Sequence, residues 1–309
     1  MKNSITHILT YKFHRIGFYL CSIRYYYEDN HKKENSIICF FKAIIKNLKI
    51  FNYKYGYYEY LEIPITTKCS LRCKNCANLI PCYKKQSDYD INILLKSIKK
   101  FLECINNIVY IRVLGGEPFL SKNLYNVIKL LLKSNKIQRI EVVTNGTIIP
   151  TEQKLINILK NDRIIVCISE YPMVNFNKLI EFLEKNKIKY RVDEMNFWMD
   201  YGIPVKKNKT PKELTKQYKT CHSVCKSLIN GQIHLCPRSS HGTDLGIIKD
   251  NEEDYLDLLD KKLSVNDKKQ KLNKLLKKKY IKACDYCDYA TKKSGKIPVA
   301  EQIKLKKKI

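Results

Sequence analysis

The sequence predicts an α/β protein built on a mainly parallel sheet, in the form of an open or partial barrel. Between Glu59 and Asp193, five short apolar runs alternate with stretches of helical periodicity. The link between successive runs is long enough for a crossover helix, which parallel pairing requires. The unusual residues also collect at the carboxyl ends of the runs, where sheets of this class bind ligands.

Taken in order, Glu59–Thr66 reads as the first strand and ends at Thr66-Thr67-Lys68, just before a group of cysteines. Asp90–Ile105 is an amphipathic helix, with Ile91, Leu94, Leu95, Ile98, Phe101, Leu102 and Ile105 recurring at i, i+3 and i+4. Val109–Leu114 is an apolar strand stopped by Gly115-Gly116. Lys122–Ser134 follows as a helix with Leu124, Val127, Ile128 and Leu131 on one side. Strand Arg139–Thr144 ends in Asn145-Gly146, and helix Thr151–Asn161 leads to strand Ile164–Ser169. Helix Asn175–Lys187 and strand Lys189–Asp193 complete the series.

Outside this core the pattern changes. Residues 1–58 are aromatic-rich, and Ile5–Tyr27 and Ser36–Phe51 read as helices with one apolar face, expected to pack on the core. After residue 204 the alternation stops. Residues 205–219 form a Lys-rich connector, a hairpin signal follows, and 252–282 hold a Lys-rich helical stretch. From about Lys292 the chain reads as a solvated basic tail. The expected division is therefore 1–58, 59–204 and 205–309.

Length and composition bound the function. A chain of 309 residues with 44% hydrophobic content has enough apolar material for a sizeable core. The formal net charge of +28 would suit an acidic partner. The chain is, however, rich throughout in Lys, Asn, Ile and Tyr, which share A/T-rich codons, so no nucleic-acid partner is expected from charge alone. Thirteen cysteines, an odd number, argue against a closed disulfide framework. No secretory signal or membrane-spanning run is visible. A cytoplasmic, reducing setting follows, where clustered cysteines bind metal or do chemistry.

The first cluster, Cys69, Cys73 and Cys76, has C-x3-C-x2-C spacing on one loop. Three thiolates this close grip a single metal centre. A closed zinc site wants four ligands, whereas a 4Fe-4S cluster on three cysteines keeps one iron open. Spacing alone leaves both readings standing. Together with Gly115-Gly116-Glu117-Pro118 at the end of the second strand, these residues resemble the radical S-adenosylmethionine (SAM) superfamily over about residues 59–200.

The resemblance implies a partial (β/α)6 barrel and a 4Fe-4S cluster that passes one electron to SAM. Methionine and a 5′-deoxyadenosyl radical result, and the radical abstracts hydrogen from a small-molecule substrate. It also implies an external electron donor such as flavodoxin or ferredoxin. It assigns Gly115, Gly116 and Glu117 to the methionyl ammonium, Thr144 and Asn145 to its carboxylate or the ribose, and Ser169 to the ribose. Arg191 is a candidate for the carboxylate or a surface residue. One position departs from the pattern: Asn75 stands before the third cysteine, where the family usually has an aromatic residue near the adenine.

A second group, Cys221, Cys225, Cys236, Cys284 and Cys287, lies beyond the core. Asn230-Gly231 marks a two-residue hairpin in which 229 faces 232, 227 faces 234 and 225 faces 236. Cys225 and Cys236 would then oppose each other with Cβ atoms about 5 Å apart. Cys284-x2-Cys287 supplies a second pair, and Cys221 is the rival of Cys225. A zinc ribbon fits this spacing. The layout also resembles the twitch module, a trimmed relative of the SPASM domain, which implies a second 4Fe-4S cluster.

Three functions follow. The leading one is a radical SAM enzyme that oxidises or epimerises a sugar-like molecule, with Cys82 and Cys167 as candidate hydrogen-atom donors. The second is a maturase of ribosomally made peptides. The third, a zinc-containing nucleic-acid-binding protein, leaves Gly115-Gly116-Glu117-Pro118 and Thr144-Asn145-Gly146 on one rim unexplained.

Overall fold

The structure, a computed structural model, describes residues 36–47, 57–221 and 225–303. Strands β1 (Tyr57–Pro64), β2 (Asn107–Leu114), β3 (Ile137–Thr144), β4 (Ile164–Ser169) and β5 (Tyr190–Asp193) pair in sequence order, all parallel. Helices α2 (Ile91–Cys104), α3 (Leu124–Leu132), α4 (Gln153–Leu159) and α5 (Asn177–Lys185) make the crossovers. Each buries the stripe that its periodicity marked. Leu94, Ile98 and Phe101 of α2 and Leu124, Val127, Ile128 and Leu131 of α3 join one core with Ile63, Ile111, Val113 and Val142 of the strands. Asp90 starts α2 by accepting the backbone N–H groups of Asn92 and Ile93, which satisfies two otherwise orphaned donors.

The sixth unit of a (β/α)6 barrel takes a different course. After Asp193 the chain leaves the sheet, and β6 (Trp198–Met199) pairs instead with β10 (Lys296–Ile297). The next parallel strand, β7 (Ser227–Ile229), is added on the other edge, beside β1, through Glu62 and Ser227. Strands β8 (Gln232–His234) and β9 (Tyr255–Asp257) extend it antiparallel, giving one eight-stranded sheet in the order β5-β4-β3-β2-β1-β7-β8-β9. The cysteine-rich part is thus hydrogen-bonded into the core sheet. Helices α6 (Pro211–Thr220), α7 (Pro237–Asp244) and α8 (Val265–Leu276) surround it.

Three expectations need correction here. The predicted hairpin register is observed, with 229 opposite 232 and 227 opposite 234, but pairing stops there. Cys236 begins α7 as its N-cap, so its backbone turns away before it can face Cys225. The tail after Lys292 is not solvated throughout: Val299 and Ala300 are buried against the first cysteine loop. At the amino end, α1 (Ser36–Asn47) is helical as expected, but Ile37, Ile38, Phe40 and Phe41 stay exposed. Residues Ile5–Tyr27 lie outside the described residues.

Gly231 occupies the second turn position at φ +86°, and a Cβ there would stand 2.9 Å from Leu259. Gly231→Ala is expected to destabilise the fold by about 1–3 kcal/mol, read as a lower urea midpoint at unchanged slope.

Candidate active site

Two backbones meet at the carboxyl ends of β1 and β2. Gly116 N–H donates to the Thr66 carbonyl (3.0 Å) and Glu117 N–H to the Lys68 carbonyl (2.7 Å). A Cβ on Gly115 would lie 2.4 Å from the Thr66 carbonyl oxygen, and one on Gly116 2.2 Å from that of Lys68. Only glycine lets the segments run this close. The glycines are therefore already required by the chain's own packing, and they hold the cysteine loop against the second strand.

Glu117 points into the fold. It is fully buried, accepting the Thr144 hydroxyl (2.9 Å), Asn145 N–H (2.8 Å) and Phe119 N–H (3.1 Å). Burial pushes its carboxyl up to about 7, while these donors pull it down. The side chain ties the ends of β2 and β3 together. The Asn145 amide is likewise engaged, donating to Ser70 Oγ (3.1 Å) and Cys69 Sγ (3.6 Å) and accepting from Thr147 N–H (3.0 Å).

Cys69, Cys73 and Cys76 line one cavity of about 430 Å³, together with Gly115, Gly116, Thr144, Asn145 and Ser169. Tyr171 and Trp198, packed edge to face at 5.8 Å, wall it beside the cysteines. Two of the sulfurs accept hydrogen bonds, Cys69 from Leu71 N–H and the Asn145 amide and Cys73 from the Gln302 side chain (3.3 Å), while the nearby Asn78 and Ile80 backbones favour the ionised form of Cys76. Burial pushes Cys69 up to about 12 and Cys76 up to about 11, so without metal they are neutral thiols. Among the described residues, no three His, Cys, Asp or Glu side chains already stand at metal-coordination spacing. What fits a metal is the donor set: three thiols on one loop, facing one cavity, with N–H groups aimed at two of the sulfurs.

Residues 63–210 match the Radical SAM superfamily. This chain carries a radical SAM domain. The matched stretch contains Cys69, Cys73, Cys76 and the Gly115-Gly116-Glu117-Pro118 turn. A GTP 3′,8-cyclase of Clostridium perfringens is 26% identical over 161 residues, covering 50% of this chain and 47% of its own. That of Alkaliphilus metalliredigens is 36% identical over 93 residues, covering 29% and 28%. The matches thus span about half or less of these curated relatives. The crystal structure of BtrN in complex with AdoMet and 2-DOIA is 16% identical, with a TM-score of 0.46, covering 75% of this chain and 93% of that one.

Beside the radical SAM domain's cavity lies a second one of about 160 Å³, lined by all five cysteines of the second group. The two cavities share Glu62, Ala77, Asn78, Leu114, Tyr201 and Tyr289 as lining. Cys236 interacts electrostatically with Cys284, Cys221 and Cys287, and Cys284 with Cys221 and Cys287. Cys225 is turned elsewhere: its sulfur accepts the Tyr60 hydroxyl at 2.8 Å and stands beside Glu62. Cys221 and Cys225 thus share one cavity but differ in their neighbours, Cys221 facing Cys236 and Cys284 and Cys225 facing Tyr60 and Glu62.

The remaining candidates do not line either cavity. Cys82 is exposed, though close enough to interact electrostatically with Cys76, and Cys167 is a buried residue of β4. Arg191 is neither a cavity residue nor a free surface residue; it clamps Glu141 (2.8 and 3.1 Å) and Asp193 (2.7 Å). Sequence reasoning missed Glu62 and Arg112, register neighbours on β1 and β2 that line the first cavity, and the Tyr171–Trp198 wall. The rarity of tryptophan, one in the chain, was the only signal for that wall. No membrane-spanning helix occurs among the described residues.

Between pH 4.5, the ordinary value for the side chain, and about 7, folded Glu117 keeps a proton that the unfolded chain has released. Its contribution to stability must therefore fall as pH rises through that window. Glu117→Gln should flatten this part of the stability–pH curve, as measured by urea midpoints between pH 5 and 7.5.

Proposed function

We propose that this radical SAM enzyme is a two-centre oxidoreductase that abstracts hydrogen from a small, sugar-like molecule, leading to dehydrogenation or epimerisation. The carrying observation is the pair of cysteine-lined cavities with a common wall. A 4Fe-4S cluster on Cys69, Cys73 and Cys76, with one iron open to SAM, would supply the electron that yields methionine and a 5′-deoxyadenosyl radical.

The chain's own residues prepare that event. Gly115, Gly116 and Ser169 line the cavity where SAM would lie, while Thr144 and Asn145 act mainly by holding Glu117 and Cys69 in place. Tyr171, Trp198 and Tyr201 narrow the cavity with aromatic surface and exclude water. Glu62 and Arg112 are the charged residues in its lining, and they offer a hydroxyl-rich molecule an acceptor and donors.

In this reading Cys221, Cys236, Cys284 and Cys287 hold the second 4Fe-4S cluster, as a twitch-like module spanning 205–309, and the core spans 59–204. Four protein ligands close such a cluster, which suits it to accept an electron across the shared wall rather than to bind substrate. The reading carries with it a reducing cytoplasm, where clustered thiols stay available to metal, and an external donor such as flavodoxin or ferredoxin. The GTP 3′,8-cyclases match over about half of their length or less, so they leave the substrate to the cavity.

Two outcomes test the reading on anaerobically reconstituted protein. Cys73→Ala should lose about half of the bound iron and all 5′-deoxyadenosine formation under reductant; persistent cleavage would overturn the role of the first loop. Cys221→Ala should lose the other half and still cleave SAM, whereas Cys225→Ala should keep full iron. The reverse pattern for the latter two would restore Cys225 as the ligand, and zinc in place of iron would make the second module structural.

A further inference from the structure

The end of the described chain returns to the first cysteine loop. Ser294 and Gly295 hydrogen-bond the backbone of Asp200, and β10 then pairs with β6, Ile297 opposite Trp198. Val299 and Ala300, 6% and 0% exposed, pack on Cys73. The following residues run antiparallel to 72–74. Lys74 N–H donates to the Glu301 carbonyl (2.7 Å) and Ile303 N–H to the Arg72 carbonyl (2.9 Å), with Cys73 bridged to Gln302. The Gln302 side chain closes the contact at both ends. Its Oε1 accepts Arg72 N–H at 2.7 Å, and its Nε2 donates to Cys73 Sγ at 3.3 Å.

The donors to Cys69 come from the barrel itself, at Asn145 and Leu71. The side-chain donor to Cys73 is 229 residues distant in sequence. We propose that residues 296–303 form a strap over the catalytic loop, in which Gln302 is a positioning residue that fixes Cys73 and sets the reduction potential of the centre it binds. The inference rests on the cluster reading above for the potential, but the strap itself does not need iron.

The physics of the second role is direct. An N–H aimed at a thiolate draws electron density from the sulfur and stabilises the form carrying one more electron, so it raises the potential. The strap also keeps water from Cys73, which is 8% exposed.

Two experiments separate the claims. In the metal-free full chain, iodoacetamide labelling resolved by peptide mass spectrometry should be slow at Cys73 and fast at exposed Cys82. A chain ending at Gly295 should label Cys73 faster by on the order of tenfold or more, since access limits thiol reactivity, with Cys82 unchanged. Equal rates at Cys73 in the two chains would overturn the strap, whatever the protein does with iron. In the reconstituted protein, Gln302→Glu keeps the acceptor for Arg72 and removes the donor to Cys73, and Gln302→Leu removes both. Each should shift the first centre to a more negative midpoint, followed through the paramagnetic signal that responds to SAM. Loss of the first centre at an unchanged unfolding midpoint would also uphold the positioning role. Full iron with an unshifted potential in both variants would overturn it.

Discussion

The site depends on the approach of two backbones, Gly115–Gly116 against Thr66–Lys68. The hydrogen bonds from Gly116 and Glu117 bring the end of β2 onto the segment leading into the cysteine loop, and no Cβ can be accommodated at either glycine. Once that contact is made, the cysteine loop has one height above the sheet. Glu117, directed inward, then secures the third strand through Thr144 and Asn145, and Asn145 reaches back to Cys69. The ends of three parallel strands are thereby locked by one buried carboxylate and two missing side chains.

The second structural theme is continuity between the cysteine-rich part and the core. Strand β7 hydrogen-bonds β1 at Glu62, so the second cavity is built against the first and shares its wall. A module joined through a flexible linker would leave this spacing variable; sheet pairing makes it fixed. Buried Glu62 stands at that junction, adjacent in register to Arg112 and in contact with Cys225. Beyond Arg112, Glu141 gathers Arg112, Arg139 and Arg191, so the barrel floor below the cavity is a network of ion pairs. Those pairs account for Arg191 without any ligand.

Burial also explains the state of the cysteines. Removing thiols from water raises their pKa values, and the aimed N–H groups only partly offset this. Neutral thiols are compatible with the folded chain, while a bound metal cation would favour their ionised form.

The sequence by itself determined the alternation of strands and helices, because the apolar periods of 2 and 3.6 were uninterrupted from Glu59 to Asp193. It also determined the first cysteine loop and the glycine turn, since local spacing and conformational demand are written in adjacent residues. The hairpin register was legible in Asn230-Gly231 for the same reason. Only the tertiary structure showed that α7 turns the backbone at Cys236 before it can face Cys225, and that the Cys225 sulfur accepts the Tyr60 hydroxyl. It alone left Cys82 and Cys167 outside the lining of both cavities and placed Gln302 on Cys73. The reason is common to these cases: a contact 165 or 229 residues apart depends on the path of the whole sheet, which no local pattern of residues carries.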